Sequence, residues 1–259
     1  CCDLLGFQAS AMQFIQCAPI GVILGLYAFT MPQCPTNKGG EKKSLVEALG
    51  LNAFALFKQK KMALFFIFSI LLGVSLQITN GFANPFISDF GQVAQYADTF
   101  GVQHANILIS LSQVSETLCI LLIPFCLRRF GIKKVMLMAM VAWVLRFGLF
   151  GLGNPGGGVW MFLLSMIVYG VAFDFFNVSG SLFVDKETDD KIRSSAQGLF
   201  IMMTNGIGAT IGTLSAQQVI NHFVGDATGV ARMEGWSHSW LIFAAYALVV
   251  AVLFAIMFK

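Results

Sequence analysis

Long apolar stretches alternate with short polar loops along this chain. A transmembrane helix needs about 20 mostly apolar residues. Seven stretches meet that requirement: Phe7–Met31, Met62–Phe86, Ala105–Leu127, Val135–Leu152, Val159–Val184, Ser195–Phe223 and Ser239–Phe258. A transmembrane β-barrel would instead show alternating segments of about ten residues. The pattern therefore predicts an all-α membrane protein with seven transmembrane helices.

Basic residues occur in every second loop. The loops after the first, third and fifth stretches, together with the C-terminus, carry nearly all of the 16 Lys and Arg residues. The other loops contribute only Arg232, and Arg146 lies inside an apolar stretch. Because cytoplasmic loops are enriched in Lys and Arg, we expect a cytoplasmic C-terminus and, with seven spans, an external N-terminus.

Composition supports the membrane assignment. The chain is 57% hydrophobic and 11% charged, whereas soluble domains carry about 25% charged residues. The net charge of +3 follows from topology and requires no nucleic-acid partner. The six cysteines show no metal-binding spacing, so we expect free thiols and no metal site.

The spacing of the stretches predicts three regions. Residues 1–31 are expected to be the last helix of an N-terminal half, 32–61 a cytoplasmic linker and 62–259 a six-helix transporter half. Many carriers consist of two six-helix halves built from inverted repeats. Since the sequence begins without Met just before a span, we expect a fragment that lacks five helices of a longer carrier.

Two acidic residues lie deep inside apolar stretches. Asp174 is near the middle of Val159–Val184, and Glu116 lies at a similar depth in Ala105–Leu127. A carboxylate there costs about 2.5–3.5 kcal/mol or more, and such residues commonly mark ion or proton paths. Because burial disfavours the ionised form, either acid is a candidate to change its protonation during transport.

Polar and aromatic side chains recur at helical spacing in four stretches. The sets are Gln77, Asn80 and Asn84; Ser112, Gln113 and Glu116; Tyr169, Phe173, Asp174 and Asn177; and Thr204 with Asn205. Amides can donate to and accept from hydroxyls or base edges, and aromatic faces stack on rings. The alternative is structural: interhelical hydrogen bonds for the amides and packing for the rings.

Two further features have structural interpretations. Arg146 lies six residues from the outer end of its stretch, so we expect it to snorkel to that interface, with an ion pair as the alternative. The Gly208–Gly212 pair is expected to permit close packing within one subunit rather than dimerisation. The complete carrier is accordingly expected to be monomeric.

The segments YGVAFDFFNVSGSLFVDKE and RSSAQGLFIMMTNGIGA, with SLQITNGFANPFI and SLSQVSETLCILLIPF, resemble the bacterial nucleoside–proton symporters of the major facilitator superfamily. The resemblance covers helices six to twelve of that family. It implies proton-coupled nucleoside uptake across the bacterial inner membrane, with protons as coupling ion, no other cofactor and lipid as the surroundings. The substrate contacts it implies are Gln77, Asn80, Gln113, Glu116, Tyr169, Phe173 and Asp174. Asp174 and Glu116 are the implied proton-coupling residues, and the division of the proton between them stays open.

Three other classes are weighed against this one. The nearest is a proton-coupled sugar or oligosaccharide carrier of the same superfamily. A seven-helix receptor or retinal protein would share the span count, but a retinal protein needs a lysine within its last helix, and only the terminal Lys259 is available. An intramembrane enzyme would need a metal motif or a nucleophile–base pair. The sequence presents neither, so we expect a protein that is not an enzyme.

Overall fold

The computed structural model describes residues 11–32 and 50–258, which fall in two compact units. The first unit contains one described helix, α1 (Met12–Ala28), with Pro19 inside it. Within α1, Cys17–Ala28 is an apolar helix, shorter than the roughly 20 residues that usually span a bilayer. The first predicted stretch therefore contains a helix, and its opening residues lie outside the described part.

The described part of the second unit begins at Gly50 and continues into a short 3-10 helix, Leu51–Lys58, which buries Ala53 and Leu56. The end of the predicted linker is thus part of this unit, while residues 33–49 lie outside the described part. Residues 50–258 contain no β-strand. The α-helices that follow are α2 (Lys60–Asp89), α3 (Ala94–Ala97), α4 (Phe100–Gln103), α5 (Ala105–Leu152), α6 (Val159–Glu187), α7 (Arg193–Ile201), α8 (Ala209–Phe223) and α9 (Gly229–Met257).

Five helical stretches of the described chain are long and apolar enough to cross a membrane. They are Lys60–Gln92, Ala105–Leu152, Val159–Glu187, Arg193–Phe223 and Gly229–Met257. These five contain six of the predicted spans, because the third and fourth predicted spans share α5. The fold class expected from the sequence is therefore confirmed as all-helical with multiple apolar spans.

The helix α5 has a break near its middle that explains the shared element. Its 48 residues include Gly131 with φ 77° and ψ 166°, a backbone conformation that glycine adopts at little cost. Gly131 belongs to the basic segment Arg128–Lys134, where the sequence predicts a loop between two spans. The helix resumes directly after Gly131, so one non-helical residue takes the place of that loop.

Aromatic rings join four of the long helices. The ring of Phe86 on α2 contacts Phe150 on α5, Phe162 on α6 and Trp240 on α9, with centroid distances of 5.6, 5.4 and 5.4 Å. All four side chains are essentially fully buried. Aromatic pairs at this spacing add to the stabilisation that burial itself provides. This cluster fixes the helices near the C-terminal end of α2.

Charged contacts hold the two ends of α2. At its C-terminal end, Asp89 Oδ2 accepts hydrogen bonds from Arg232 Nε at 2.6 Å and from Trp236 Nε1 at 2.7 Å. At its N-terminal end, Lys61 Nζ lies 2.5 Å from Glu187 Oε1 at the end of α6. Both contacts sit outside the apolar centre, where charges remain close to water.

Glycines let α2 approach the helical segment that follows α7. Between α7 and α8, residues Met202–Gly208 form a π-helical stretch. A Cβ atom at Gly208 would lie 2.6 Å from the Ile70 carbonyl oxygen, one at Gly212 would lie 2.9 Å from Val74 Cα, and one at Gly73 would overlap the Thr204 backbone. The prediction that Gly208–Gly212 permits close packing within one subunit is confirmed.

A similar contact brings α5 and α6 together beside the candidate site. A Cβ atom at Gly170 would lie 2.7 Å from the backbone and Oγ of Ser115. The Ser115 hydroxyl donates a hydrogen bond to the Ile167 carbonyl. Because Glu116 follows Ser115 and Tyr169 precedes Gly170, this close approach places an acid and an aromatic ring on neighbouring helices.

We expect Gly73→Ala to destabilise the protein by about 1–3 kcal/mol, because the added methyl group has no space against the Thr204 backbone. Thermal unfolding of the purified protein in detergent measures the effect. The matched control is Gly81→Ala on the same helix, where a Cβ atom meets nothing within 4 Å. Equal melting temperatures for the two variants would contradict the close approach.

Candidate functional site

A polar cavity lies among α2, α5 and α6. Its volume is about 330 Å³, within the range of small-molecule sites. The side chains that line it are mainly amides, hydroxyls and charged groups, although the helices that carry them are predominantly apolar. The lining residues are Thr79, Asn80, Ala83, Asn84, Asn106, Ile109, Ser112, Gln113, Glu116, Arg146 and Tyr169.

Four of the seven predicted substrate contacts line this cavity. They are Asn80 from α2, Gln113 and Glu116 from α5, and Tyr169 from α6. The i, i+3 spacing places Gln113 and Glu116 on one face of α5. The Tyr169 hydroxyl lies 3.4 Å from Asn80 Oδ1, as a hydrogen-bond donor across the α2–α6 contact. The helical spacing read from the sequence therefore brings these four side chains together.

The other three predicted contacts, Gln77, Phe173 and Asp174, do not line the cavity. The Phe173 ring lies parallel to the Tyr169 ring, with centroids 5.9 Å apart and an interplanar angle of 2°. Gln77 is half-buried and lies one turn before Asn80 on α2. Its Cβ atom faces Gly212 on α8, where the two helices approach closely. Phe173 and Gln77 thus flank the cavity at its sides, one behind Tyr169 and the other at the α2–α8 contact.

Asp174 is a buried acid without a complete set of partners. Its side chain is 6% exposed, and its Oδ2 atom has no hydrogen-bond partner among the described residues. Asp89, Asp185, Asp190 and Glu187 each contact an Arg or Lys side chain, whereas no described cation pairs with Asp174.

Arg146 is the main site residue that the sequence interpretation assigned wrongly. It is 1% exposed and lines the cavity, so the expectation that it snorkels to the outer interface is wrong. Its Nη1 donates to the Ser165 carbonyl at 2.7 Å, and its Nε donates to Thr79 Oγ1 at 3.3 Å. Its sequence position near the end of an apolar stretch does not show whether the side chain extends to the membrane interface or into the helix bundle, because a guanidinium can reach either.

A chain of amides extends the polar surface toward the end of α2. Asn84 Nδ2 donates to Asn106 Oδ1 at 2.7 Å, and Ser88 Oγ donates to Asn84 Oδ1 at 3.1 Å. Asn84 shares the polar face of Asn80, as its spacing predicts. Asn106 was missed, since a lone amide two residues into an apolar stretch carries no periodic signal.

The polar pair on the sixth predicted span lies elsewhere. Thr204 is buried and its hydroxyl donates to the carbonyl of Phe200 at 3.1 Å, so the helix itself satisfies it. Asn205 is exposed in the π-helical stretch. Neither side chain lines the cavity, because α7 and α8 contact α2 on the face where the glycines lie.

Known proteins provide an independent view of this arrangement. The family described as "Nucleoside H+ symporter" matches residues 2–259. The nucleoside permease NupG of Escherichia coli K12 is 50% identical over 258 residues, and the xanthosine permease of the same organism is 49% identical over 258 residues. Both alignments cover 99% of this chain and 60% of the relative, so the chain spans about three fifths of their length.

A solved structure agrees with the sequence matches. The crystal structure of a nucleoside transporter NupG variant, in which one aspartate is replaced by alanine, is 49% identical and has a TM-score of 0.88. That similarity covers 100% of this chain and 63% of the other. Since the family match extends over nearly every residue, including all those that line the cavity, the chain belongs to the nucleoside H+ symporter family.

Proposed function

We propose that this chain forms the substrate-binding part of a carrier that takes up nucleosides together with protons. The observation that carries the proposal is the polar cavity among α2, α5 and α6 of a chain in the nucleoside H+ symporter family. Relatives of this chain are named nucleoside permease and xanthosine permease. Two kinds of binding group, amides and an acid, lie beside the aromatic ring of Tyr169 in this cavity and suit the hydroxyls and base of a nucleoside.

The cavity chemistry supports recognition of both parts of a nucleoside. Glu116 offers two oxygens that can accept from adjacent ribose hydroxyls, while Asn80 and Gln113 offer donors and acceptors to hydroxyls or to base edges. The Tyr169 ring, backed by Phe173, offers a face for the base, and stacking of this kind contributes about 1–3 kcal/mol per base. In this proposal Gln77 completes the amide row of α2.

Asp174 is proposed as the principal proton-coupling residue, with Glu116 as the second acid. An uncharged carboxyl group is far less costly to bury than a carboxylate, and Asp174 has no cation among the described residues to offset its charge. Proton binding at Asp174 and nucleoside binding in the cavity must favour the same conformation if transport is to be coupled. Protons are then the only coupling ion, and no cofactor takes part.

The proposed architecture has seven spans in a one-plus-six arrangement. Residues 1–31 are the last helix of the N-terminal half, 32–61 a linker and 62–259 the six-helix half, with Gly131 separating two spans within α5. Two halves would rock about a midplane site. The distribution of Lys and Arg supports a cytoplasmic C-terminus in the bacterial inner membrane, with a monomer as the working unit.

The test is uptake by the natural full-length protein, reconstituted into proteoliposomes. With an inward proton gradient, we expect accumulation of radiolabelled uridine or adenosine above the external concentration. An uncoupler should abolish that accumulation, and excess unlabelled nucleoside should compete while sugars should not. Competition by sugars or oligosaccharides instead of nucleosides would favour the sugar-carrier alternative. Chemical conversion of the nucleoside during transport would contradict a carrier that is not an enzyme.

Replacing Asp174 separates coupling from binding. We expect Asp174→Asn to abolish uphill accumulation, because the amide cannot take up and release the proton, while nucleoside exchange across the membrane persists. The measurement compares gradient-driven uptake with exchange in the same proteoliposomes. Asp189→Asn, on the exposed loop after α6, is the control and should retain accumulation. If Asp174→Asn accumulates nucleoside with the same dependence on external pH as the parent, the coupling role is wrong.

Replacing the cavity acceptor and the flanking amide tests nucleoside contact. A hydrogen bond to a charged group contributes about 1.5–3 kcal/mol, so Glu116→Gln is expected to weaken nucleoside binding by about 10-fold to 100-fold. Gln77→Ala should weaken it less, because a neutral hydrogen bond contributes about 1 kcal/mol. Equilibrium binding of radiolabelled uridine gives both values. Glu234→Gln, away from the cavity at the start of α9, is the matched control. Parental affinity in both site variants would remove Glu116 and Gln77 from the proposed site.

A further inference from the structure

Arg146 forms a buried junction in the cavity wall that nucleoside recognition by amides and acids does not explain. Its guanidinium joins α5 to two other helices, through Thr79 on α2 and the Ser165 carbonyl on α6. The Ser165 hydroxyl donates back to the Arg146 carbonyl at 3.1 Å. Among the described residues, no acceptor takes a hydrogen bond from Nη2.

The same guanidinium lies over two aromatic rings. Its central carbon is 4.3 Å from the centroid of the Tyr169 ring and 5.0 Å from that of Phe150. A cation over an aromatic face is attracted to it, and the attraction is stronger where water is excluded. Since Tyr169 also lines the cavity, the orientation of its ring depends on Arg146 on one side and on the parallel Phe173 on another.

The positive charge of Arg146 is its second distinctive feature, besides its contacts with the two rings. Arg146 is the one cation and Glu116 the one carboxylate among the described residues that line the cavity. Both line one cavity of about 330 Å³, and they do not form an ion pair in direct contact. Tyr169 on α6 is the other titratable side chain near the guanidinium, and α2 contributes only the neutral Thr79.

A fold requirement alone does not account for this arginine. Burying a guanidinium without a contacting carboxylate is expensive, and an apolar side chain of similar length is often equally or more stabilising in such a place. Lysine would keep the charge but cannot bond two partners from a planar fork. The combination of charge, planar shape and a place in the cavity wall indicates a role in binding.

We propose that Arg146 is a positioning residue for the nucleoside site, which acts by holding the Tyr169 ring and by balancing the charge of Glu116. This inference rests on the proposed nucleoside transport and names one further determinant of it. Without the guanidinium, the Tyr169 ring loses one of its supporting contacts and the cavity keeps an unbalanced carboxylate. Nucleoside affinity therefore depends on Arg146 and Glu116 together.

The experiment is a double-mutant cycle on the natural full-length protein in detergent. Uridine and adenosine dissociation constants are measured for the parent, Arg146→Met, Glu116→Gln and the double variant, with Arg146→Lys as the conservative variant. We expect Arg146→Met to weaken binding by about tenfold or more, and Arg146→Lys to restore part of the loss. In the Glu116→Gln background, removing Arg146 should cost at least about fivefold less than in the parent, because charge balance is already lost. Arg232→Met is the matched control and should leave affinity unchanged.

The outcomes separate this inference from the proposed function. If the parent binds neither uridine nor adenosine, the proposed function fails. If the parent binds and Arg146→Met binds within about twofold of it, the positioning role is wrong. If Arg146→Met weakens binding by the same factor in the parent and in Glu116→Gln, Arg146 only supports the structure of the site. Charge balance with Glu116 is then excluded. If Arg146→Met fails to fold, the same cycle with Arg146→Lys tests the positioning role. Lysine retains the charge but lacks the planar guanidinium that bonds two partners.

Discussion

A polar group surrounded by lipid must find its partner within the protein, and the rest of this structure depends on that constraint. Most hydroxyls satisfy it locally: Ser69, Thr204 and Ser239 each donate to a carbonyl one turn earlier in their own helix. Tyr246 does so between helices, through the Leu71 carbonyl at 2.8 Å. Several amides and charged side chains instead collect at one place, the cavity among α2, α5 and α6.

Small residues and aromatic rings determine where that collection can form. Gly170 allows α6 to lie directly against Ser115, so the polar faces of α5 and α6 meet at short range. Nearer the C-terminal end of α6, a Cβ atom at Gly180 would lie 2.8 Å from the Phe200 ring, which shows how closely α7 covers that part of the helix. The aromatic cluster around Phe86 fills the space near the C-terminal end of α2. Apolar packing thus encloses the polar residues on most sides.

Helical periodicity predicted much of the fold and part of the site. It identified the apolar spans and the shared faces that carry Asn80, Gln113, Glu116 and Tyr169. It could not give the rotation of each helix about its axis relative to its neighbours. The spacing placed Asp174 at the border of the stripe formed by Tyr169 and Phe173, and the family resemblance implied a substrate contact there, whereas the structure buries that side chain outside the cavity lining. Neighbouring residues on a helix point about 100° apart, so the pattern alone does not show which of Phe173 and Asp174 faces a substrate until the rotation of α6 is known.

Two other differences have physical causes of their own. The role of Arg146 depended on which way a long flexible side chain extends, and its sequence position is compatible with both directions. The joining of two spans in α5 depended on the backbone at Gly131. A basic segment with a glycine is typical of a loop, but the same glycine also permits a sharp bend between two helices that continue on both sides.

The π-helical stretch Met202–Gly208 has a consequence for the phase of the helix that follows it. A π turn accommodates an extra residue without ending the helix, and each residue of an α-helix advances the side chains by about 100°. If the same residues were wound as regular α-helix, the extra residue would no longer be absorbed and all of α8 would be rotated by roughly that angle. Gly208 and Gly212 would then turn away from α2, and larger side chains would face its backbone. The local irregularity therefore sets the register in which an entire transmembrane segment meets its neighbour.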